Sequence, residues 1–133
     1  MADLVGWTFG GAWFAAAVAT SKQPSTLQDV IGAGDAINHA IFTNEEIVHA
    51  VQLMVGSGLL EVKPDSFQLT AAGRQLLDRR TGGLIGQTAS IQKLLRTVVP
   101  QTAPWTMESS RIATATERYL EGMGRSGAQA RRT

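Results

Sequence analysis

Apolar and polar residues alternate with period two on both sides of one short turn. In Gly58-Leu59-Leu60-Glu61-Val62 the positions Leu60 and Val62 face one way. Phe67 and Leu69 repeat the alternation after Lys63-Pro64-Asp65-Ser66. Such a pair of runs around a proline-containing turn predicts a small β-hairpin. On either side of it the apolar period becomes helical.

Five helices or more emerge from that second period. Residues 4–21 carry no charge, which predicts a buried first helix over about 10–20, preceded by an apolar arm. Ser25 and Gln28 have the spacing of a capping box. Leu27, Val30, Ile31, Gly34, Ile37 and Ile41 then recur at helical intervals, which gives a second helix over about 26–40. Thr43 and Glu46 form another capping box, with Phe42 and Ile47 at the staple positions. Ile47, Ala50, Val51 and Met54 make the inner stripe of this third helix, 44–57, and Gly56 and Gly58 stop it. Thr70 opens a fourth helix, 71–80. A glycine hinge covers Thr81 to Gly86. Ile91, Leu94, Leu95 and Val98 mark a fifth helix ended by Pro100. A linker over 100–105 carries Trp105, and a sixth helix covers about 107–122. Residues 124–133 have no apolar pattern and read as a disordered tail.

The composition, 44% apolar and 17% charged, belongs to a folded globular chain. The chain has no cysteine, which removes disulfides, thiolate metal sites and thiol nucleophiles and favours a reducing compartment. The uncharged stretch 4–21 is broken by Gly6, Gly10 and Gly11 and comes after Asp3 rather than a basic residue. That pattern fits neither a signal peptide nor a membrane span. The expected location is the cytoplasm, with no membrane partner.

The order helix, helix, short turn, helix, hairpin, helix resembles a winged helix-turn-helix over about residues 10–80. The local match lies in Gly58-Leu59-Leu60-Glu61-Val62 and Phe67-Gln68-Leu69-Thr70-Ala71-Ala72-Gly73-Arg74. These residues are similar to the wing of MarR- and PadR-type transcriptional regulators. Asp35-Ala36-Ile37-Asn38-His39-Ala40-Ile41 is also similar to a group of uncharacterised bacterial winged-helix proteins. The resemblance implies a mainly α fold with a small β-hairpin: a winged-helix domain over 1–80, with an N-terminal apolar helix, and two further helices over 81–123. It also implies a third helix that reads double-stranded DNA.

The candidate nucleic-acid residues are then Thr43, Asn44, Glu45, His49 and Gln52 on the third helix, with Lys63 on the wing and Arg74 beyond it. Glu45, His49, Gln52 and Gly56 form the stripe opposite the core. Gln can pair with adenine and Glu with cytosine. Yet Lys and Arg dominate contacts to phosphate, and two carboxylates at the helix start oppose an anion. A protein-interaction module that does not bind DNA is therefore the alternative.

Charge is uneven along the chain. Residues 1–70 carry two basic and seven acidic side chains, and residues 71–133 carry ten basic and four acidic. Either a polyanion or the acidic half, in the same chain or a second copy, could balance the basic half. The apolar surplus of Trp7, Trp13 and Phe14, together with the C-terminal helices, predicts a homodimer. Asp35 with His39, and Glu45 with His49, are acid–imidazole pairs at i, i+4 and formally could ligate a metal. Nothing in the pattern joins the two pairs, so the expectation is no metal and no cofactor. No nucleophile–base–orienter set is visible, and the chain does not read as an enzyme.

Overall fold

The computed structural model describes residues 6–132, with side chains through residue 123. The described residues form six helices and one two-stranded antiparallel sheet. The order is α1 (Phe9–Thr20), α2 (Leu27–Asn38), α3 (Asn44–Gly56), β1 (Leu60–Lys63), β2 (Ser66–Leu69), α4 (Ala71–Leu77), α5 (Gln87–Leu95) and α6 (Ser109–Arg132). No described helix is long and apolar enough to cross a membrane.

α1 is the centre of the molecule. Every residue from Gly11 to Val18 is buried, because α2, α3 and α5 pack around it. A helix that is apolar on all sides has no solvent face to offer, so it must be enclosed. The Trp13 indole sits on Phe42 with ring centroids 3.9 Å apart. Its Nε1 donates to the Gly34 carbonyl at 2.8 Å, which satisfies its one polar atom. Phe14 meets Phe42 and Phe67 edge to face at 5.6 and 5.8 Å. Trp13 and Phe14 are thus interior residues. They are covered within the chain and offer no surface to a second copy. The expected C-terminal extension, 81–123, contributes Ile91, Leu95 and Ile112 to this same core.

The hairpin pairs Leu60 with Leu69 and Val62 with Phe67. Phe67 and Leu69 turn into the core, while Lys63, Pro64 and Asp65 are exposed at the tip. Ser25 joins the sheet edge: its N–H donates to the Phe67 carbonyl at 2.9 Å, and its carbonyl accepts from Phe67 at 2.8 Å. That pairing corrects the expected cap of α2. Ser25 is buried in a backbone bridge, its hydroxyl donates to the Lys22 carbonyl, and the capping box shifts by one residue to Thr26 and Asp29.

Local geometry sets the other boundaries. α2 stops at Asn38 because His39 adopts the left-handed conformation, with φ 54°. Asn38, the last residue of α2, is exposed. α3 is capped as its sequence predicts, and Gly58 takes the left-handed position after it at φ 77°. α4 ends at Leu77, three residues short of the expected 80, and α5 ends at Leu95 rather than running to Pro100; the chain turns at Arg79–Arg80 and Thr97–Val98. α6 continues to Arg132. The expected unstructured tail, 124–133, lies outside the residues whose side chains are described.

Candidate functional site

α3 begins with reciprocal hydrogen bonds. The Thr43 N–H donates to Glu46 Oε1 at 2.9 Å, and the Glu46 N–H donates to Thr43 Oγ1 at 3.1 Å. Glu46 is therefore committed to the helix end, while Thr43, Asn44 and Glu45 are exposed beside it. His49 is half-buried one turn further on. Up to this point the outward stripe is as the helical period predicts.

Beyond His49 the stripe is covered. After α5 the chain turns back, and residues 98–107 cross α3 as an extended strap. Gln52 Nε2 donates to the Trp105 carbonyl at 3.0 Å, and the Ala103 N–H donates to the Gln52 carbonyl at 3.0 Å. The Gln101 N–H donates to Ser57 Oγ at 3.0 Å, and that hydroxyl lies 3.3 Å from the Gln101 carbonyl it can donate to. Gly56 lies between these anchors. A Cβ there would collide with the Gln101 carbonyl oxygen, so the strap approaches as closely as it does only because residue 56 has no side chain. Trp105 then packs edge to face on Phe67 at 6.2 Å.

The strap leads into α6, which lies along α2. Arg111 Nη2 donates to the Pro64 carbonyl at 3.0 Å and is 3.5 Å from Asp65 Oδ1, so α6 holds the hairpin tip. Both partners of that ion pair are at least half exposed, so its own contribution is small, about 0–1 kcal/mol. A cleft of about 410 Å³ opens here between Leu27, Pro64, Met107, Arg111 and Arg118. Further along α6, the Tyr119 hydroxyl donates to Asp35 Oδ2 at 2.6 Å. Burial, then the Asp35 hydrogen bond and charge, push the Tyr119 phenol up to about 12.

The seven candidate nucleic-acid residues have different surroundings. Thr43, Asn44, Glu45 and His49 stay together on the first half of α3. Gln52, expected to face a base edge, is bonded to the strap instead. Lys63 is at the hairpin end. Arg74 lines a different cleft with Glu61, Gln68, Thr70 and Asp78. Arg80 is drawn toward α5, donating to Gln87 Oε1 at 2.9 Å and to the Leu77 carbonyl at 2.9 Å. Lys22 lines the cleft that holds Asp29 and Tyr119.

The four formal metal candidates are likewise separate. Asp35 accepts from Tyr119, His39 is the left-handed residue that ends α2, and Glu45 and His49 are on α3. Among the described residues no three His, Cys, Asp or Glu side chains form a group that could hold a metal ion.

The sequence reading missed Gly56, Ser57, Gln101, Trp105, Arg111 and Tyr119 as structural partners. Gly56 was legible as a helix stop and Trp105 as an apolar residue in a proline-bearing linker, but neither names its partner. No family model matches the chain, and no curated protein or solved structure matches it either.

Proposed function

We propose that this chain is a winged-helix protein that acts through protein contacts and does not read DNA. The order of α1, α2, α3 and the hairpin supports the winged-helix reading, with Ser25 pairing at the sheet edge as a third short segment. The observation that carries the function is the strap. In a helix-turn-helix docking the second helix lies in the major groove with its N-terminal residues at the base edges. Here the first turn of α3 carries Glu45 and Glu46, and Gln52 and Gly56 on its outward stripe, with Ser57 just beyond the helix, are engaged by residues 101–105.

Electrostatics support the same reading. The first turn of α3 offers Glu45 and Glu46 to any phosphate, Arg80 is engaged by Gln87, and Arg74 lines a cleft with Glu61 and Asp78. Neutralisation of phosphates by Lys and Arg supplies most non-specific affinity. The chain is non-catalytic in this reading, and its lack of cysteine supports a cytoplasmic site of action. A second copy is one partner of the required kind. With Trp13 and Phe14 interior, Trp7 is the expected dimer residue that stays partly exposed, and Leu120 and Met123 are exposed on α6.

Binding to random duplex DNA at low and at high salt, for the native chain and for Glu45→Lys, tests the proposal. The expected result is flat binding curves for both proteins. A DNA-reading α3 would give salt-sensitive binding, tightened by Glu45→Lys with a salt slope steeper by about one unit. That outcome would overturn the proposal.

A further inference from the structure

α5 separates an inner from an outer side. Gln87, Thr88, Ile91 and Leu95 are buried, and at 100° per residue the opposite stripe is Ala89, Lys93 and Arg96, all exposed. Apolar side chains stand out at both ends of this helix. Leu84 and Ile85 precede it, 46% and 67% exposed, and Val99 lies just after it at 76%.

The Leu84–Ile85 tip is held in place. Gln87, itself buried, donates its N–H to the Gly83 carbonyl at 3.0 Å and its Nε2 to the Leu84 carbonyl at 3.2 Å. Its Oε1 accepts from Thr20 Oγ1 at 3.1 Å and from Arg80 Nε at 2.9 Å. The Thr81 N–H donates to Ser90 Oγ at 2.8 Å. A buried amide is tolerated only when its polar atoms are bonded. This one is bonded so as to fix a loop whose two aliphatic side chains face water. At the other end Trp7 Nε1 donates to the Val98 carbonyl at 3.0 Å and anchors the chain beside Val99.

The chain segment that carries this side has charge of one sign. Residues 79–107 contain Arg79, Arg80, Lys93 and Arg96 and no Asp or Glu. α1, which packs against the inner side of α5, contains no charged residue. Asp78, the preceding carboxylate, lines the cleft with Glu61 and Arg74.

We propose that the outer side of α5 is a docking surface for an anionic lipid bilayer. Leu84 and Ile85 enter the interfacial layer, while Lys93 and Arg96 face lipid phosphates. Cations attract any polyanion, but a nucleic acid offers no apolar layer for an aliphatic tip. A bilayer interface supplies both, and apolar contact plus charge is the combination that holds a protein on a membrane without a spanning helix. The inference does not rest on the state of α3.

Cosedimentation of the intact chain with vesicles tests it, using phosphatidylcholine alone and phosphatidylcholine mixed with phosphatidylglycerol. The expected result is partition onto the anionic vesicles only, weakened by salt. Leu84→Ser/Ile85→Ser should reduce that partition by about tenfold or more, and Lys93→Glu/Arg96→Glu should abolish it. All four side chains are exposed, so unchanged thermal melts of both variants are expected alongside. Absence of partition by the native chain would overturn the proposal. So would partition that survives Leu84→Ser/Ile85→Ser, or equal capture by duplex DNA, since either would reduce the surface to a generic cation patch.

Discussion

The two ends of α3 share one outward stripe and have opposite surroundings. At the first turn Thr43, Asn44 and Glu45 are exposed, and the hydrogen bonds close back on the helix itself through Thr43 and Glu46. At the last turn Gln52, Gly56 and Ser57 lie under a segment about 50 residues later in the chain, as in the Gln52–Trp105 bond with its separation of 53. Amphipathic periodicity identifies the stripe that faces the core. It does not say whether the opposite stripe is wet, because any other part of the chain can cover it.

The largest effect should come from forcing the two ends to become alike. Gly56→Val places a branched side chain where the Gln101 carbonyl sits. The strap must lift or the helix must shift, at a cost of roughly 1–3 kcal/mol. Thermal melts should show the loss, and limited proteolysis should find new cleavage within residues 98–107. An unchanged cleavage pattern would mean that the strap does not depend on the missing side chain.

The open end should respond less, and only locally. Thr43→Ala removes the acceptor for the Glu46 N–H and should cost about 1 kcal/mol, within the usual range for a lost N-cap. Amide exchange should speed up in the first turn of α3 while protection at Gln52 stays the same. Faster exchange at both ends would show that the two halves open as one unit.

The smallest effect should come from pH, acting where α6 meets α2 beyond the strap. Tyr119 holds α6 to α2 through Asp35, and it is the single tyrosine in the chain. Its folded pKa, about 12, lies above the ordinary value of 10.0. The protonated phenol is therefore the form that folding favours. This contribution to stability is fully present below about pH 10 and is lost as pH rises towards 12. An absorbance titration of tyrosinate should show the raised midpoint. Asp35→Asn should lower it only in part, since burial is the larger cause. An ordinary midpoint in the native chain would mean that α6 leaves α2 before the phenol ionises.

Much of the α3–hairpin region was legible because its signals are local. The Thr43–Glu46 box spans three residues, Thr70 caps α4 over three residues, and the hairpin register is set by alternation around Pro64. The closed end of α3 was not legible, because its bonds join residues 44 and 53 apart and no periodic pattern records such a pair. Tyr119 and Asp35 are 84 apart. Trp13 and Phe14 show a different limit. Their apolar character required burial, but composition cannot tell burial by the same chain from burial by a partner, and here Phe42 and Phe67 fill the role. The capping of α2 failed by one residue, since Ser25 has the right chemistry for a cap and is instead taken by a backbone pairing with Phe67, far along the chain.

Because residues 101–105 are joined to the helix they cover, they compete for it as a tethered ligand. A flexible tether alone gives an effective concentration on the order of millimolar. A free peptide at micromolar concentration that bound the same stripe with equal intrinsic affinity would occupy it in about one molecule per thousand. Access to that end of α3 therefore belongs to ligands that bind far more tightly than the chain's own segment, or to those that first release it at Ser57 and Trp105.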